Sequence, residues 1–184
     1  MTSICTRPDA LQPGIDAVAR ARSTRASVAA VALATGVVLV WAFSLSRSLC
    51  DPIGYDQAMY QYMAERVMAG ERLYVDVWDQ NAPGIVAIHW LSIRLVGRGP
   101  VALRIFDAGW QLLTLFALFG LAVRARRCWR AGWLAVGLYM LAYYSMGYVQ
   151  TAQREGFAVL PLLLSVHLVT HPPSKPWGRF ARGL

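Results

Sequence analysis

Ala26 to Ser46 contains no charged residue, and neither does Ala131 to Val149. Runs like these approach the roughly 20 apolar residues that a helix needs to cross a bilayer. In lipid every backbone polar group must be satisfied within the chain, so the spanning form is a helix. Composition agrees: 57% of the residues are hydrophobic and 15% charged, with a mean hydropathy of +0.40. Too few polar side chains are present to cover the apolar surface. The expected fold class is all-α: a polytopic membrane protein of about four transmembrane helices plus two outward interfacial helices.

The expected spans are about 26–46, 101–123, 131–149 and 156–170, the last interrupted by Pro161. They form one membrane domain, 26–170, with an outward loop at 47–100. A polar segment, 1–25, holds Arg7, Arg20, Arg22 and Arg25, and a basic tail follows at 171–184. The first apolar run is longer and further from the start than a cleaved signal peptide's core, so it reads as an uncleaved anchor. Ile85 to Val96 is apolar but holds His89, Ser92 and Arg94. It would reach about 18 Å against a hydrocarbon core of roughly 30 Å, and reads as an interfacial helix. If it spanned instead, everything after it would invert. With it on the surface, the Arg-rich start, the Arg124–Arg130 loop and the tail all fall in the cytoplasm, as the positive-inside rule requires.

That topology accounts for the net charge of +8. The arginines stand between apolar runs, with no basic helix, RNA-binding motif or zinc-finger spacing, so no nucleic-acid partner is expected. Cys5 and Cys128 would be cytoplasmic and Cys50 outward, which leaves no intramolecular disulfide. The three histidines are scattered and give no metal-ligand spacing.

Asp51 to Gly84 is the stretch that chemistry would use. It holds Asp51, Asp56, Glu65, Glu71, Asp76 and Asp79, six of the ten acidic residues, with Tyr55, Tyr60, Tyr62, Tyr74 and Trp78. Asp56 is placed to cap a helix. Met59, Tyr60, Met63, Val67 and Met68 then recur at helical spacing, and Gly70 is a natural stop. This predicts an amphipathic helix lying on the membrane, its Met and Tyr face down.

No nucleotide loop, nucleophile elbow or Cys-His cluster is present. What remains is carboxylates at an outward membrane surface. Near low-dielectric lipid a carboxylate binds its proton more tightly, which suits a general base. Carboxylates can also hold a divalent cation beside a phosphate leaving group. Each acid has a plainer role as well: Asp56 as a cap, Asp51 as interfacial solvation, Asp76 and Asp79 as loop acids. Arg104 and Asp107 can pair on one helical face, Arg154 and Glu155 can form a solvated turn, and the aromatics can form a belt.

The run Asp56–x5–Tyr62, Gly70–Glu71, Leu73–Tyr74–x–Asp76–x–Trp78–Asp79–Gln80 and Pro83–Gly84 resembles the first outward loop of the GT-C glycosyltransferases. The nearest branch is the protein mannosyltransferase-like group, which includes lipid A aminoarabinose and lipopolysaccharide core sugar transferases. Gln153–Arg154–Glu155–Gly156–Phe157 resembles that group's second outward loop. The resemblance implies an inner-membrane enzyme that takes a sugar from a polyprenyl-phosphate donor, with inversion, on the outward face. It makes Asp56 the base, with Asp51 as second candidate. Asp79 supports it, and Arg154 with Glu155 lines the same cavity. Gln57 stands where a second acid often follows, against a bound metal. Asn81–Ala82 stands for a Lys-Pro whose Lys resembles a donor-phosphate contact, leaving Arg154 or Arg104 for the phosphate. The resembled family uses more spans, so the chain is expected to be an N-terminal portion; the plain alternative is a small protein completing its site by oligomerisation. The rival function is a non-catalytic membrane scaffold that binds a lipid or partner through this loop.

Overall fold

The structure, a computed structural model, describes residues 12–170, with side chains from residue 27 onward. Cys5, the start of the basic N-terminal segment and the tail 171–184 lie outside the described residues. Six helices follow in order: α1 (Gln12–Leu49), α2 (Tyr55–Met68), α3 (Pro83–Leu95), α4 (Pro100–Arg126), α5 (Trp129–Ser145) and α6 (Arg154–Thr170). Among the described residues there is no strand, only one isolated bridge between Leu73 and Val77. The chain is all-α. Among the described residues two stretches are long and apolar enough to cross a membrane, Ser27–Leu49 and Pro100–Arg126. Helices α5 and α6 have 17 residues each, about 25 Å of helix.

Local chemistry explains most boundaries. Pro83 and Pro100 open α3 and α4, where a missing N–H costs nothing. Gly70, at φ +97°, turns the chain out of α2. Gly147, at φ +78°, lies just beyond α5 and shortens the expected 131–149 span to Ser145. Pro161 is inside α6 and cannot bond back to the Phe157 carbonyl. The Trp110 indole of α4 donates to that carbonyl instead, at 3.1 Å.

Helices α1, α4, α5 and α6 alternate in direction. The end of α1, the start of α4, the end of α5 and the start of α6 meet around Arg104, which bonds Pro52, Tyr148 and Thr151. At the opposite end Arg124 of α4 lies 2.9 Å from His167 of α6. Gly156 lets α6 approach α5, since a Cβ there would lie 2.8 Å from the Tyr143 ring. Helices α1, α4 and α5 leave an apolar cleft of about 420 Å³ that includes Trp41, Phe116 and Trp133.

Two expectations for α2 are corrected. Asp56 does not cap it; Gly54 is the N-cap and Asp56 lies in the first turn. The cap bond runs from the Gly54 N–H to Gln57 Oε1, 2.8 Å. The Met and Tyr face does not look at a membrane. Tyr60, Met63 and Ala64 are buried against Ile85, Val86, Leu103, Phe106 and Phe157. Helical spacing identified an apolar face, and protein rather than lipid covers it.

Candidate functional site

The site is held by a buried clasp. Gln57 Nε2 donates to the carbonyls of Tyr148, at 2.9 Å, and of Thr151. Its Oε1 accepts from Gly54 N–H and, at 3.2 Å, from Arg104 Nη2. Arg104 also donates to Thr151 Oγ1 and the Pro52 carbonyl, both 2.9 Å, and to the Tyr148 carbonyl, 3.1 Å. Both side chains are fully buried. An amide suits position 57 because it donates to carbonyls at one end and accepts at the other. A carboxylate would turn an acceptor toward those carbonyls.

The clasp brings two distant segments together. Gln153 Nε2 donates to Asp56 Oδ2 at 3.4 Å. Arg154 Nη1 donates to Asn81 Oδ1, and its Nε to Glu155 Oε1 at 2.6 Å. Asn81 Nδ2 donates to Asp79 Oδ2 at 2.8 Å, while Asp79 Oδ1 accepts the Gln80 N–H at 2.7 Å. Tyr60, one turn beyond Asp56, is raised in pKa by burial first and by Asp56 next, with Asp79 and Glu155 adding and Arg154 opposing. The hydrogen bond from Arg154 holds Glu155 below the usual carboxylate range. Asp56, Arg154 and Glu155 are exposed, and Asp79 is buried. The group therefore offers the Asp56 carboxylate, which has no ion pair among the described residues, near the exposed guanidinium of Arg154, which Glu155 and Asn81 hold.

Asp56, Asp79, Arg154 and Glu155 are thus brought together. Asp51 is not among them and lines a separate cavity with Arg47 and Tyr148. Arg104 is buried in the clasp rather than open to a ligand, and it does not pair with Asp107. Asp107 Oδ1 instead accepts from Tyr143 Oη at 2.7 Å and Gln111 Nε2 at 3.1 Å. Asp76 is tied to Arg72 within its own loop. Among the described residues no three His, Cys, Asp or Glu side chains stand close enough to share a metal ion. Sequence reasoning missed Gln57 as the clasp and Asn81 as the link to Arg154. Tyr60 carried a usable signal, its position four residues after Asp56 on one helical face.

Behind the site His89 is fully buried, 5.5 Å from the Tyr60 ring and 6.2 Å from Phe157. Neither ring nitrogen has a hydrogen-bond partner among the described residues, and burial pushes its pKa down to about 4. The unfolded chain, with His near 6.5, binds more protons than the folded chain between these values. Stability is therefore full above pH 6.5 and falls as pH drops toward 4, by about 3 kcal/mol. Thermal unfolding in detergent across that range should show the loss, and His89→Leu should flatten it.

No family model, curated protein or solved structure matches this chain.

Proposed function

We propose that the chain is a multi-pass membrane glycosyltransferase of the GT-C type, using a polyprenyl-phosphate sugar on the outward face of a cell inner membrane. The observation that carries this reading is the meeting of Asp56 with Gln153–Arg154–Glu155, from the two segments that resemble that group's outward loops. Asp56 takes the proton of an acceptor hydroxyl or amine as that atom attacks the sugar's anomeric carbon. The carbon–oxygen bond to phosphate breaks with inversion, and the leaving phosphate is met by Arg154, whose Nη2 has no partner among the described residues. Asp79 fixes Asn81 and through it Arg154; Arg104 acts from beneath as a support.

The membrane part of the reading draws on surface chemistry. Almost none of Ser27–Leu49 is buried in the protein, and Leu39, Phe43, Phe116, Leu138 and Leu162 are all well exposed. A soluble core helix would hide such residues. Alternating α1, α4, α5 and α6 gives four crossings, with α2 and α3 at the outward ends. Cys50 and Cys128 are both exposed free thiols, so only the bilayer decides which one a reagent reaches. A membrane-impermeant thiol reagent on intact cells should label Cys50 and spare Cys128. Labelling of both would mean that α3 crosses the membrane, and labelling of Cys128 alone that the bundle is inverted.

A scaffold role is the second reading, favoured by exposed Tyr55, Tyr62 and Trp78 at the same end. Membranes bearing the full chain, given a radiolabelled polyprenyl-phosphate sugar, separate the two. Transfer that requires the chain supports the enzyme. No donor-dependent transfer from a folded, membrane-inserted chain would sink it in favour of the scaffold.

A further inference from the structure

The seam between α1 and α5 holds a polar cavity of about 380 Å³, lined by Arg47, Ser48, Asp51, Tyr144 and Tyr148 among others. Arg47 and Asp51 are one helical turn apart, yet they form no ion pair with each other or with any described residue. The hydroxyls of Ser48, Tyr144 and Tyr148 also have no partner among the described residues. A cation, an anion and three hydroxyls thus line one space with hydrogen-bonding capacity left for a ligand.

Along the same two helices lies an apolar groove of about 350 Å³, lined by Leu33, Gly36, Val40, Gly137 and Leu141. The two spaces follow one another at helical spacing, from Val40 to Ser44 and Arg47 on α1 and from Leu141 to Tyr144 and Tyr148 on α5. Apart from its chain neighbours and its own helix backbone, no atom of the described residues lies within 4 Å of where a Gly36 side chain would start, so the groove is open there. An apolar slot leading into a polar chamber has the order of polarity of a lipid.

Charge selects the lipid. A phosphate monoester or a purely anionic phosphodiester would meet Asp51 as well as Arg47. A phosphodiester that carries its own ammonium offers each side chain the opposite sign. We infer that this seam binds a phospholipid whose headgroup joins a phosphate to a primary ammonium. Arg47 and the hydroxyls take the phosphate, Asp51 takes the ammonium, and an acyl chain lies in the Gly36–Gly137 groove. This rests on α1 and α5 spanning the membrane, not on sugar transfer.

The test is native mass spectrometry of the full chain in detergent with equal amounts of phosphatidylethanolamine or phosphatidylglycerol. One phosphatidylethanolamine should be retained in preference. Arg47→Ala should weaken it about tenfold and Arg47→Lys less. Asp51→Asn should erase the preference over phosphatidylglycerol, and Gly36→Leu should weaken both lipids. Helix content by circular dichroism identifies any variant that fails to fold. Equal retention of the two lipids by the unsubstituted chain overturns the assignment, as does an unchanged preference in folded Asp51→Asn. Alkaline extraction of cell membranes tests the underlying reading separately. Release into the soluble fraction would refute membrane spanning. A chain that stays in the pellet without the lipid preference refutes only this site.

Discussion

Asp56→Asn is expected to lower transfer from a polyprenyl-phosphate sugar by about a hundredfold or more, the usual worth of a positioned general base. The structure makes this a clean experiment. Gly54, not Asp56, caps α2, so the substitution removes no cap. The side chain is exposed, and its one hydrogen bond among the described residues is the 3.4 Å contact from Gln153. Asparagine keeps the shape and an accepting oxygen, and surface changes of this kind move stability by about 0.5 kcal/mol or less. A loss of transfer at unchanged unfolding temperature therefore reports proton acceptance. Neighbouring acids are poor substitutes: Glu155 is held as a carboxylate by Arg154, and both Asp79 oxygens already accept hydrogen bonds. Near-normal transfer by Asp56→Asn would remove Asp56 from the chemistry and with it the reading of this site.

The helices were legible because their signals are local. Uncharged runs marked α1 and α5, spacing and Gly70 marked α2, and Pro83 and Pro100 stood at the starts of α3 and α4. What covers a helix was not legible. The Tyr60–Met63 face has the same period whether lipid or protein lies against it, and Phe106 and Phe157 lie far along the chain. Arg104 and Asp107 illustrate the same limit, since three-residue spacing suggests pairing, while Arg104 bonds to Pro52, Gln57, Tyr148 and Thr151 and Asp107 to Gln111 of its own helix and Tyr143 of α5. The link from Asn81 to Arg154 joins residues 73 apart, and no periodicity can announce it. The family resemblance grouped Arg154 and Glu155 with Asp56 but gave no sign of the Asn81 link. Pro161 held an unread clue, because its missing N–H required an outside donor for Phe157, which Trp110 supplies.

Arg104→Leu should destabilise the fold by about 3–5 kcal/mol, since it removes four charge-assisted hydrogen bonds and leaves the Pro52 carbonyl without its donor. Arg104 is 1% exposed and donates to Gln57 Oε1, Thr151 Oγ1 and the carbonyls of Pro52 and Tyr148. Leucine fills much of the volume but gives these oxygens no proton. At the usual scaling for a chain of this length, the midpoint of thermal unfolding in detergent should fall by about 10 °C. Arg104→Lys should lie between the two, because one ammonium keeps the charge but cannot span the same set of acceptors. The damage should also reach the site. Asp56 follows the Pro52–Gly54 segment and Arg154 follows Thr151, so the clasp fixes the distance between the carboxylate and the guanidinium. Transfer by Arg104→Leu should fall even well below its unfolding temperature, while the isolated loss of Asp56 leaves that temperature unchanged. An unfolding midpoint within a degree or two of the unsubstituted chain would show that Arg104 does not hold the two segments together.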